Sequence, residues 1–85
     1  MSKLPKARPM TAGEVEALRE NGLDPAYNDI SGIDKKTMAE MSEWIVANVY
    51  QLTKVDIRDV PYNEVLELGV KTFRLTYGFP EDIKN

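Results

Sequence analysis

A chain of 85 residues makes one compact domain that buries only about 60–65% of its unfolded surface, so its core is small and a partner or a second copy would strengthen it. With no cysteine and no histidine it has no disulfide, no thiolate metal site and none of the commonest acid–base catalyst. Fourteen acidic residues against eleven basic ones leave a net charge of −3, the wrong sign for a protein that grips phosphates, so no nucleic-acid partner is expected.

Residues 1–10 carry Lys3, Lys6 and Arg8 and read as a flexible or extended N-terminal arm. The longest purely apolar run in the chain, Trp44 to Ala47, is far below the ~20 residues of a membrane span, and the arm has no apolar signal region. A cytoplasmic location and no membrane partner are the corresponding expectations.

Thr11 followed by Glu14 is a capping box, in which the hydroxyl accepts from the Glu14 N–H and the carboxylate accepts from the Thr11 N–H. The first helix is expected over residues 12–21. Gly22 then supplies the left-handed turn of a Schellman ending, with Leu23 folding back on Leu18. Glu14, Glu16 and Glu20 leave it few apolar residues, so it lies on something larger.

Asp24 to Gly32 reads as a loop, pinned by Tyr27, Ile30 and Ile33. A calcium loop starting at Asp24 fails because its sixth position is Asp29 instead of glycine and its twelfth is Lys35 instead of glutamate. No metal and no cofactor are expected.

Asp34 caps a long second helix over residues 35–53, with Met38, Met41, Ile45, Val49 and Leu52 along one stripe. Trp44 flanks the stripe on one side, and Val46 and Tyr50 flank it on the other. Such an arc, about twice the ~100° of an ordinary surface helix, means that the helix is either central or meets another chain. Val55 to Val60 is read as a connector.

The third helix is expected over residues 61–77, entered at Pro61 and stopped by Gly78 and Pro80. Tyr62, Val65, Leu66, Gly69, Phe73, Thr76 and Tyr77 face one way, and of these Tyr62, Leu66, Gly69, Phe73 and Tyr77 are to be matched with the second helix. Gly69 within that face marks a close approach of helices, because a mid-helix glycine costs about 1 kcal/mol against alanine. Leu68 and Leu75 form a second, smaller apolar edge.

The resulting expectation is an all-α domain, a small bundle of about three helices over residues 11–79, with a C-terminal tail at 80–85. The nucleophile and acid–base inventory is thin and the glycines are scattered singly, so an enzyme is not expected. The wide apolar arc points to protein binding, with Trp44, Tyr50, Leu68 and Leu75 as the candidate partner-binding residues. Homo-oligomerisation is compatible with the same surfaces.

The opening Arg8-Pro-Met-Thr-Ala-Gly-Glu-Val-Glu-Ala-Leu18 of a small acidic helical chain resembles that of the tail assembly chaperones of tailed bacteriophages. The run from Val65-Leu66-Glu67-Leu68-Gly69-Val70 to Phe73 is similar to the end of their helical body. The resemblance implies a non-catalytic chaperone that binds the tape-measure and tail-tube proteins during tail morphogenesis in the host cytoplasm. Alternatives are a head-tail connector or other small phage structural protein, or a small helical regulator or inhibitor. A helix-turn-helix reader fits poorly, because its first two helices would be too far apart and the wet face of the long helix is acidic.

Overall fold

The computed structural model describes residues 4–28 and 35–78. Within them the chain is helical, with α1 at Ala12–Glu20, α2 at Lys35–Asn48, α3 at Lys54–Ile57 and α4 at Tyr62–Tyr77, and no strand. The expected roles of Ile30, Ile33, Asp34 and Pro80, and the tail at 80–85, lie outside the described residues.

α1 begins and ends as its sequence requires. Thr11 Oγ1 accepts from the Glu14 N–H at 3.2 Å, and Glu14 Oε1 accepts from the Thr11 N–H at 2.9 Å. At the other end Gly22 has φ +71°, and the Leu23 N–H reaches the Leu18 carbonyl at 3.2 Å while the Gly22 N–H reaches that of Arg19 at 2.9 Å. That pair of bonds is the Schellman ending. Gly78 likewise closes α4 in the left-handed conformation, at φ +74°.

The long second helix is shorter than its periodicity implies. α2 stops at Asn48, because Gln51 takes φ +57° and turns the chain so that the Leu52 N–H folds back on the Val46 carbonyl at 3.1 Å. Glutamine carries no left-handed signal, so the turn was not legible. Leu52 therefore leaves the helical stripe. The connector after it contains α3, whose start is a second capping box: Thr53 Oγ1 accepts from the Asp56 N–H at 3.2 Å and Asp56 Oδ2 accepts from the Thr53 N–H at 2.8 Å.

α2 and α4 form the principal helix pair, and α1 packs on α2. The width of the apolar arc on α2 follows from its central position. Met41, Ile45 and Val49 face a cluster with Met10 and Leu18, while Val46 turns the other way to meet Val65 and Leu68. On α4 the buried residues are Val65, Leu68, Gly69 and Thr72, so the inward face is rotated from the expected one. Tyr62 is half exposed, and Leu66, Phe73 and Tyr77 are only partly covered. The rotation has a physical cause in Gly69, which lets α4 approach α2 so closely that a Cβ there would stand 2.5 Å from Ser42 Cα and closer still to its side chain. Contact at this seam fixes the rotation more firmly than the bulkier residues flanking it.

Residues 4–10, read from the sequence as a flexible arm, make specific contacts. Met10 enters the first cluster, and Leu4 and Ala7 pack against the second. Arg8 makes a double-pronged pair with Glu14, at 3.1 Å on each prong, and donates to the Val49 carbonyl at 3.2 Å near the end of α2. A bidentate pair that also satisfies an orphan carbonyl is a strong local tie. The hydrogen bond from Arg8 is the chief reason the Glu14 carboxyl is held below its ordinary pKa, with the Thr11 N–H adding to it.

A candidate protein-binding groove

The residues singled out for partner binding do not form one exposed surface. Leu68 is a core residue, buried between α2 and α4 because the Gly69 contact turns its side of α4 inward. Tyr50 bridges the two clusters, and its hydroxyl is engaged, accepting from the Arg8 N–H at 2.9 Å and sharing a 2.6 Å bond with Thr72 Oγ1. Trp44 is half-buried against the first cluster. Leu75 is 39% exposed and belongs to neither cluster.

A concave apolar surface lies elsewhere. Between the second half of α2, the α3 turn and the start of α4 is a groove of about 540 Å³, within the size range of ligand sites. Val46, Leu52, Ile57, Val60 and Val65 supply its apolar floor. Three local events build it. Gln51 in the left-handed region swings Leu52 away from the α2 axis, the Thr53 cap starts a short helix that presents Ile57, and Pro61 turns the chain into α4.

The walls are polar. Glu43 on α2 accepts from the Tyr62 hydroxyl on α4, which closes one end of the groove and holds the phenol above its ordinary pKa. Lys54 and Arg58 line the α3 side. The capping pair Thr53 and Asp56, spaced like Thr11 and Glu14, was the sequence signal for this side of the groove. No sequence pattern marked its opposite wall.

A second polar cluster is buried and serves the fold. The Asp24 carboxylate, fully buried, accepts from Arg19 Nε at 3.3 Å, from the Ala26 N–H at 2.9 Å and from the Tyr77 hydroxyl. The bond from Tyr77 ties the α1 exit to the end of α4, the other two hold the turn after α1, and Arg19 further stacks over Tyr27 at 4.3 Å from the ring centre. Burial, followed by the bond to Asp24, raises the Tyr77 phenol above its ordinary pKa. With its oxygens so employed, Asp24 is a structural brace.

Among the described residues no three acidic, histidine or cysteine side chains gather as a metal site, and no helix is long and apolar enough to cross a membrane. Half of the discarded calcium loop, positions 29–34, lies outside the described residues. No protein-family model, curated protein or solved structure matches this chain.

Proposed function

We propose that this protein is a non-catalytic binding module that holds a segment of another protein in the groove between α2, α3 and α4. One observation carries the reading: a small domain leaves a concave apolar floor, with partly covered Leu52, Ile57 and Val60, open beside a polar rim. Concave apolar surface edged by polar groups is the general form of a recognition site.

The biological setting we propose is tail assembly in a tailed phage, with the tape-measure or tail-tube protein as the client. Its support is the resemblance of Arg8 to Leu18 to the opening of tail assembly chaperones. Those residues pin the arm, cap α1 and close onto α2, so the resemblance speaks to the fold, and the groove speaks to binding.

The test is co-expression of the chain with the tape-measure and tail-tube proteins encoded in the same genome. Either client should co-purify with the wild type and be released by Ile57→Glu, a change on a helix with no buried residue, with circular dichroism confirming that the fold persists. Failure of both clients to co-purify or stay soluble would refute the chaperone reading. Detection of the chain in purified particles would favour the alternative of a virion component.

A further inference from the structure

The rim of the groove carries information about its occupant. Lys54 and Arg58 stand four residues apart on α3 and its C-cap, so both project from the same side of that turn. Both are exposed and line the groove, and neither has an ion-pair or hydrogen-bond partner among the described residues. Three other cations are engaged, Arg8 with Glu14, Arg19 with Asp24 and Lys36 with Glu40, while Lys6, Lys35, Lys71 and Arg74 stand away from this groove without an ion pair among the described residues.

The nearby acids keep their charge but form no ion pair with these two cations. Glu43 is taken by the Tyr62 hydroxyl on the opposite wall, and Asp56 is turned to the Thr53 N–H and hydroxyl. Asp59 follows Arg58 in sequence but does not line the groove. In a chain of net charge −3, two cations outside any ion pair thus edge an apolar floor whose lining has Glu43 as its one acid.

We infer that the groove binds an acidic amphipathic segment of a partner protein, its apolar side chains on Leu52, Ile57 and Val60 and its carboxylates on Lys54 and Arg58. This rests on the groove being the binding site. A second copy of the chain is a poorer occupant. Its most acidic helix, α1, exposes Glu16 and Glu20 but has already turned Leu18 and Val15 into its own core. Charge at the rim acts chiefly on selectivity and encounter, while the floor supplies the affinity.

The probes are two fluorescent helical peptides with the same leucine face, one bearing glutamate and the other lysine on its polar face. Each is titrated with the full chain by anisotropy, and amide NMR shifts locate the contact. The glutamate peptide should bind at the groove about tenfold or more tighter than the lysine peptide, and that preference should shrink as salt rises. The double variant K54E/R58E, at two exposed positions and with its fold checked by circular dichroism, should reverse the order. Equal or tighter groove binding by the lysine peptide would overturn the acidic partner while leaving the groove as a binding site. No shift at the groove with either peptide would overturn both. A dimer in sedimentation whose interface covers Leu52 and Val60 would assign the groove to a second copy and overturn the inference.

Discussion

Replacing Gly69 with alanine isolates the contact that sets the packing of α2 on α4. On an exposed helix the change would stabilise by about 1 kcal/mol, because alanine loses less conformational freedom on folding. Here the new Cβ would stand 2.5 Å from Ser42 Cα, where ordinary contact begins near 3.4 Å, so the two helices must part by roughly 1 Å. The obstacle is backbone, which no rotamer change can move. Overpacking of this kind costs about 1–3 kcal/mol, and the opened seam also weakens the 3.3 Å bond from Ser42 Oγ to the Leu66 carbonyl. The expected net loss is about 1–2 kcal/mol, or a fall in Tm of roughly 5–15 °C for a domain of this size. Thermal and urea unfolding followed by circular dichroism measure it. Adding Ser42→Gly removes the Cβ and hydroxyl but leaves Cα in place, so it should restore only part of the loss. A Gly69→Ala protein that melts higher than wild type would refute the reasoning, and full rescue by Ser42→Gly would show that the side chain, and not the backbone, is the limit.

Further predictions concern the braces and the core. Asp24→Ala should cost about 3 kcal/mol in urea unfolding, because it strips the acceptor from the Ala26 N–H and the Tyr77 hydroxyl at a fully buried site; a loss near zero would show that water replaces it. Glu14 has a folded pKa below its unfolded one, so its contribution is present above the unfolded value of about 4.3 and is lost as pH falls through the folded pKa. Glu14→Gln should therefore be less stable than wild type at neutral pH, with the two urea midpoints converging on acidification; a gap that stays constant to the lowest pH would count against the Arg8 pair. Trp44→Ala should destabilise by about 2 kcal/mol, less than the ~3–5 of a fully buried aromatic, since Trp44 only partly enters the first cluster. Val49→Asp should abolish cooperative unfolding, because the side chain is 5% exposed among apolar neighbours, and an unchanged melting curve would place the core elsewhere.

Whatever depends on neighbours within a turn or two is written in the local order of residues. Thr11 with Glu14, and Gly22 with Leu23, mark the start and end of α1 because capping and the left-handed turn are local hydrogen-bond chemistry. Gly78 ends α4 for the same reason, and the all-α class follows from helical periodicity over three segments. Even α3 was written locally, in Thr53 and Asp56, although alternation of apolar and charged residues around it masked the cap. The remaining features arise only when distant segments pack together. Gln51 adopts a positive φ with no residue-type preference to announce it, since the turn is held by what packs on either side, and that one dihedral shortens α2 and moves Leu52 from stripe to groove. Which face of α4 points inward was legible at Gly69 but not beyond it. Periodicity shows that residues share a face, whereas the rotation of that face is set by the closest backbone contact, here with Ser42, and this buries Leu68 and leaves Tyr62 half exposed. The groove is three segments meeting in space, and no spacing along the chain encodes a meeting of that kind.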